Sequence, residues 1–433
     1  MPRADRERIV VLFALTDIPA ASNHERERPP ASEPMNLNDL LTRPAARRAR
    51  ALIRQLEEET FAEQLRIVTI PAPSLHEGQR AEFVRKRFDA LRLCRPHVDE
   101  VGNVLAGLPG ASQPELAPVV LSAHLDTVFG PETYLIPRHV GNRVYAPGVT
   151  DNARGVAALL TVARVLVESG MRTRAPIWFA GTVGEEGIGD LRGAKHLFRP
   201  GGNLARPSAF IALDGSGIRR IVHRAIGARR LRVEITGPGG HSWSDWGAPN
   251  PLHALGRGID RILRLHGPAR SKVTLTVARA GGGTTVNAIP ATAWLELDLR
   301  GEASEAVAEL EKACRRTFQE VVDGENRERR AGSEALKLTV RVIGDRPSGQ
   351  IPETAPLVSA AVAATRMVGA RPELVASSTD ANVPLSLGIP AVALGAGGES
   401  GGIHTTEEWF CNREGVLGLE RALLTVLCAA GVE

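Results

Sequence analysis

The stretch APVVLSAHLDTV sets His124 and Asp126 two residues apart at the end of an apolar run. Side chains at i and i+2 of an extended chain share a face, so an imidazole and a carboxylate emerge together where the run meets solvent. Other apolar runs finish in the same way. IWFAGTV leads into Gly184, Glu185 and Glu186, FIAL leads to Asp214, and AVALGAGG leads through glycines to His404. Asp151 stands before the first turn of DNARGVAALLTVARVLVESG, an N-cap position. Each residue alone has a plain explanation: a cap, a solvated acid pair, an exposed loop histidine. Their joint occurrence at strand ends does not. Two histidines, two carboxylates and a further carboxylate shared between ions make a borderline ligand set suited to zinc. A pair of such ions can activate water and polarise a carbonyl. Asp126 would then orient His124 through the ring nitrogen turned away from the metal. Of the adjacent glutamates, one would coordinate and the other would be free to take a proton.

These residues need a frame that brings strand ends together. A helix is expected through ARRARALIRQLEEETFAEQLRIVTI, stopped by PAPS, and another through EGQRAEFVRKRFDALRL. Strand and helix then alternate, which points to an α/β fold: a mostly parallel sheet with helices on both faces. Ligand sites in such sheets lie at the carboxyl ends of the strands, where the candidates fall. Between residues 226 and 347 the texture changes to four alternating strands and two helices, an inserted α+β unit of ferredoxin-like type. The expected organisation is a leader over 1–34, a catalytic domain over 35–225 and 348–433, and the insert over 226–347. The leader is rich in charge and proline (NHERERPPASEP), reads as disordered, and leaves Met35 as the expected true start.

Composition narrows the function class. Lys and Arg number 53 against 49 Asp and Glu, close to balance, and aromatics make up only 4%. The basic cluster RPAARRARALIRQ carries no interleaved aromatic, so a nucleic-acid stacking platform is not expected. No apolar run approaches the roughly 18 residues of a membrane span. Cys94, Cys314, Cys411 and Cys428 are scattered without a CxxC pair, which suits a reducing cytoplasm and gives no thiolate metal site. GESGG at 398–402 formally matches G-x-S-x-G with Ser400 as nucleophile. However, IHTTEEWF is a poor helix start, and no carboxylate separates Ser400 from His404.

At HLD, TDNARG, GEEG, LDG, GGHS, VNAIP with LDLR, and GGIHTTEEW, taken as an ordered set, the chain resembles metallopeptidase family 20. That group holds peptidase T, carboxypeptidase G, aminoacylases and the succinyl-diaminopimelate desuccinylase. The resemblance covers nearly everything after about residue 45. It implies two divalent ions per chain, zinc with Co2+ or Mn2+ as alternatives. His124 and Asp214 would hold one ion, Glu186 and His404 the other, with Asp151 bridging and Glu185 as general base. It also implies a non-proline cis peptide between Asp151 and Asn152. The insert would be a lid and dimerisation domain of a homodimer, with His241 reaching into the partner's site to donate to the oxyanion. Asn287 and Arg300 would contact the substrate. Relatives of the acyl-amino-acid type have glutamate at the position of Asp214, whereas the peptidase T-like branch has aspartate. That leans the reading toward an aminopeptidase or di/tripeptidase acting on a small peptide. The alternative is an N-acyl amino acid deacylase. More distant rivals are a serine hydrolase at Ser400 and a catalytically silent binding protein. Arg154, in TDNARG, would lie beside the site.

Overall fold

The computed structural model describes residues 35–111, 116–202, 204–265 and 272–433; the leader expected over 1–34 lies outside them. Four strands, buried throughout except at the half-buried Trp178, form the centre: Val119–His124, Ile177–Thr182, Ala209–Leu213 and Ala391–Leu394. Their sequences are near-continuous apolar runs, as strands covered on both faces must be. They lie side by side and parallel, in the order 177–182, 119–124, 209–213, 391–394.

The edges differ from the expected parallel pattern. Val104–Leu108 and Cys94–Val98 extend one side antiparallel, and Arg220–Ala225 joins the other side antiparallel to 391–394. Beyond that edge Glu373–Ser377 pairs parallel with Arg220–Ala225, and the strands whose ends carry the candidate residues all lie in the parallel centre.

Helix Ala153–Glu168 is buried nearly all round, and with Gly415–Ala430 it packs on the central strands. The single helix expected after residue 45 is two, Pro44–Gln55 and Glu57–Val68, broken at Leu56. Glu57, Glu58 and Glu59 fill the first turn of the second. There they favour a new N-terminus through the helix dipole over a continued helix. Asn152, rather than Asp151, caps Ala153–Glu168, its Oδ1 accepting the Gly155 N–H at 3.1 Å.

Gly227–Thr236, Val273–Gly282, Thr292–Gly301 and Lys337–Arg346 form a separate antiparallel sheet in the order 273–282, 292–301, 227–236, 337–346. With helices Pro251–Ile262 and Ser304–Glu328 this is a βαββαβ arrangement. It has its own core, where Leu231, Val233, Leu295, Leu297 and Leu299 pack with Phe318. Period-2 alternation puts Asp298 and Arg300 on the opposite face from those leucines, and register sets Arg230 across from Asp298.

Two glycines give opposite expectations. A Cβ on Gly155 would lie 2.1 Å from Asn152 Oδ1 and 2.5 Å from the Leu213 carbonyl oxygen. Gly155→Ala should therefore cost about 1–3 kcal/mol. Gly256, in the exposed part of Pro251–Ile262, has nothing within 4 Å of such a Cβ. Gly256→Ala should stabilise by about 0.5–1 kcal/mol. Urea unfolding of the two variants checks both signs.

Candidate metal centre

Neighbouring strands are about 4.8 Å apart, so side chains from the ends of four of them converge only if the loops turn inward. They do. His124, the last residue of its strand, aims Nε2 at the rim, 2.9 Å from Asp151 Oδ1 and 3.9 Å from Asp214 Oδ1. Its Nδ1 donates back to the Asp126 carbonyl oxygen at 3.1 Å, with the Asp126 carboxylate at 3.5 Å. His404 Nε2 lies 3.1 Å from Asp151 Oδ2 and 2.9 Å from Glu186 Oε1. Asp151 thus presents one oxygen to each imidazole. The sets His124–Asp151–Asp214 and Asp151–Glu186–His404 each have their ligand atoms within 4.8 Å of one another, and so does His124–Glu185–Glu186.

Several observations fit a pair of divalent ions. Asp151 Oδ1 is buried, with His124 Nε2 beside it at 2.9 Å. Nδ1 donation leaves the His124 Nε2 lone pair available to a metal, and the imidazole–carboxylate set is a zinc-type set. The charge balance points the same way. Burial alone would push the His124 imidazole down, yet Asp126, Asp151 and Asp214 around it carry it well above its ordinary value. Contacts with Asp151 and Glu186 lift His404 to about 10. Burial, then repulsion from Asp151, pushes Asp214 up to about 7. Asp151 is held low, because the two imidazoles outweigh its burial. The cluster holds more carboxylate than the surrounding protein neutralises, and protonated imidazoles take the place of cations.

The two adjacent glutamates have different surroundings. Glu186 faces His404. Glu185 is gripped by Arg346, which lies on the last strand of the smaller sheet. Arg346 Nη1 is 3.1 Å from Glu185 Oε1, Nη2 donates to the Glu185 carbonyl oxygen, and both residues are buried. Burial pushes the Glu185 carboxyl well up, opposed by Arg346 and reinforced by Glu186. The Asp126 carboxylate does more than face His124. It accepts the backbone N–H of Glu185 at 2.9 Å and of Glu186 at 3.0 Å, and the Ser74 hydroxyl at 2.6 Å.

A cavity of about 870 Å³ opens over this rim, lined by Asp151, Glu185, Glu186, Asp214 and His404 together with Arg230, Arg300 and Arg346. Arg300 is therefore brought to the site, its Nε 2.6 Å from Asp298 Oδ2. His241 and Asn287 are not among the lining residues. They sit together on a short exposed ribbon, with His241 paired to Ala288 and Ser242 N–H donating to the Asn287 carbonyl at 3.0 Å.

Arg154, expected beside the site, is fully buried behind it. It donates to the Ala396 and Gly415 carbonyls and pairs with Glu57. Ser400 lies within the strand Glu399–Gly401, 2.7 Å from the Ser216 hydroxyl, and not at a strand-to-helix turn. The peptide between Asp151 and Asn152 is cis, and all four cysteines are free.

The sequence profile described as "Peptidase family M20/M25/M40" matches residues 120–427. The chain belongs to this family. It is 28% identical over 205 residues to carboxypeptidase G2 of Pseudomonas sp. (strain RS-16), covering 46% of this chain and 47% of that protein. The chain spans about half the length of the curated relatives it matches. The structure superimposes on aminopeptidase PepT from Bacillus cereus ATCC 10987 with a TM-score of 0.69 at 23% identity, covering 87% of this chain and 99% of that one. It also superimposes on a dinuclear metal-binding peptidase of the M20 family from Bacillus subtilis, TM-score 0.62 at 17% identity, covering 87% and 99%. Among the described residues no helix is long and apolar enough to cross a membrane.

Because His404 titrates near 10 and His124 well above its ordinary value in the metal-free chain, both imidazoles carry a proton at pH 7. A metal ion takes the neutral ring, so zinc uptake must displace those protons, and affinity should rise with pH. Calorimetry in buffers of different ionisation enthalpy should report release of at least two protons per chain at pH 7, since Asp214, pushed up to about 7, adds to those of the imidazoles. Uptake without proton release would contradict this charge arrangement.

Proposed function

We propose that the chain is a di-metal amidohydrolase, most closely a peptidase T-like enzyme that cleaves short peptides. One arrangement carries this reading: two ligand sets share Asp151, beside an acid, Glu185, that belongs to neither of them and is held by Arg346. In this reading His124 and Asp214 hold one ion, Glu186 and His404 the other, and Asp151 bridges. Zinc fits the ligand chemistry best. When bound, the pair supplies Lewis acidity and lowers the pKa of water.

The remaining chemistry belongs to the chain. Glu185, buried and with its carboxyl pushed up, takes a proton from the attacking water and returns it to the leaving amine. Asp126 fixes Glu185 and Glu186 by their backbone amides. Arg300 offers its guanidinium fork to a substrate carboxylate. The cavity volume suits a di- or tripeptide.

His241 completes the oxyanion site from a second copy of the chain. Its Nδ1 accepts the N–H groups of Trp243 at 3.2 Å and Ser244 at 3.4 Å, which places the ring proton on Nε2 as a donor. His241 and Asn287 stand apart from the cavity of their own chain. Beside them Trp243, Trp246 and Val286 are 86%, 77% and 101% exposed, an apolar surface of the kind that marks an interface. The 226–347 unit then serves as lid and dimerisation domain of a homodimer. A cytoplasmic location accords with the four unpaired cysteines.

Glu185→Gln should keep two ions per chain and lower kcat by about 10²- to 10⁴-fold; near-normal turnover would remove the base assignment. In the trans arrangement, mixing Glu185→Gln with His241→Ala and allowing subunit exchange should restore activity, because one site of each heterodimer has both groups. No recovery would place His241 in its own chain's site, or outside the chemistry. A panel of free and blocked di- and tripeptides and N-acyl amino acids, with and without chelator, identifies the substrate. Cleavage of N-acyl amino acids alone would favour the deacylase alternative.

A further inference from the structure

Glu408 lies four residues beyond His404 and is fully buried. Its Oε1 accepts the backbone N–H of Thr150 at 2.8 Å and of Asp151 at 3.0 Å, and Oε2 accepts that of Gly148 at 3.0 Å. Its own backbone joins the same two segments. The Glu408 carbonyl accepts the Ala146 N–H at 3.0 Å, and its N–H donates to the Thr405 carbonyl at 3.1 Å. Immediately beyond, Trp409 and Phe410 pair with Tyr145 and Val144. One carboxylate therefore ties the turn that presents Asp151 to the loop that presents His404.

Those two side chains must meet at one point although they come from segments far apart in sequence. A coordination site tolerates misplacement of only about 0.5 Å. Neither segment is a regular element that could set the distance itself: residues 146–151 form a turn, and His404 sits in a left-handed conformation, φ 65°. A carboxylate buried among three amide donors serves geometry, because charge-assisted bonds of this kind are short and directional.

We propose that Glu408 is a positioning residue for the metal centre, locking the Asp151 turn to the His404 loop so that the position formed by Asp151, Glu186 and His404 can hold its ion tightly. This rests on the two-ion reading above. Glutamine in its place keeps the shape but turns an NH₂ group toward an N–H it must accept, and the loops lose register.

The test uses the full chain, freed of metal and titrated with zinc against a chromophoric chelator, with thermal unfolding of the metal-free form alongside. The wild-type chain should take up two ions. Glu408→Gln and Glu408→Ala should bind at least the ion of the Asp151, Glu186 and His404 position about 10- to 100-fold more weakly, and weakening at both positions also supports the proposal because Asp151 is shared. Glu407→Ala, at an exposed neighbouring position, should match the wild type. Variants that bind both ions at wild-type affinity overturn the proposal, even if less stable without metal, since Glu408 would then only support the fold. An equal loss in Glu407→Ala also overturns it. So does failure of both Glu408 variants to fold, with or without zinc. A wild-type chain that takes up at most one ion removes the two-ion reading itself, and this inference with it.

Discussion

Five carboxylates and two imidazoles crowd one edge of the large sheet, and the rest of the molecule is arranged around the cost of putting them there. Asp126, Asp151, Asp214, Glu185 and Glu186 come from three strand ends and one helix entry. Left in low dielectric without cations, such a group of anions repels itself and sheds charge by taking up protons. Burial first, and that repulsion second, displace Asp214 upward to about 7 and Glu185 upward as well. Arg346 is the one arginine that pairs with a carboxylate of this cluster among the ion pairs described. It comes from the smaller sheet, so the two halves of the fold are joined electrostatically at the acid proposed to move protons.

Strand ends create a second cost. Beyond the last ladder bond, backbone groups lose their partners while still shielded from water, and a buried orphan costs about 1–3 kcal/mol. The chain satisfies them with ionised side chains sorted by sign. Arginines take carbonyls: Arg80 donates to Leu125 and Ile70, Arg421 to Gly395, and Arg154 to Ala396 and Gly415. Acids take N–H groups, as Asp126 does for Glu185 and Glu186 and Glu408 does for the Asp151 turn. The bonds to Leu125, to Glu185 and Glu186 and to the Asp151 turn fix residues at or beside candidate ligands. Of the three fully buried arginines, Arg80 is the one that holds such a residue, and Arg154 and Arg421 satisfy carbonyls further from the rim.

This division explains what could be read from the chain and what could not. His124, Glu186, Asp214 and His404 are legible because an apolar run that ends in a ligand-type residue is a local pattern, and an open parallel sheet gathers strand ends on one rim. The insert is legible because its period-2 alternation replaces the continuous apolar runs of buried strands. Arg346 and Glu408 are not, since each acts on a segment more than 150 residues away. Nothing in GDRPSG or TTEEW announces that contact. Arg154 misleads for the same reason: adjacency to Asp151 in sequence says nothing of direction, and the helix start carries its side chain into the core. At Leu56 a local preference was outweighed by three glutamates better placed at a helix start than in a helix middle. At the antiparallel edges, the polar residues of Cys94–Val98 and Arg220–Ala225 weaken the pattern that marks the central strands.

Glu185 and Glu186 show how much tertiary placement adds to residue type. They are identical side chains on consecutive residues, both with backbone N–H groups held by Asp126. One step along the chain sends them in different directions. Glu186 meets an imidazole at 2.9 Å, and Glu185 meets a guanidinium at 3.1 Å. A carboxylate beside an imidazole of a candidate ligand set is placed to share a cation with it. A carboxyl buried against arginine and repelled by its neighbour has its proton affinity raised, chiefly by the burial. Acid and base assignments follow from environments that push like groups apart, and here one peptide unit separates the two environments. Fixing that unit through Asp126, whose own strand also delivers His124, places the candidate ligand and the proposed proton carrier by a single carboxylate.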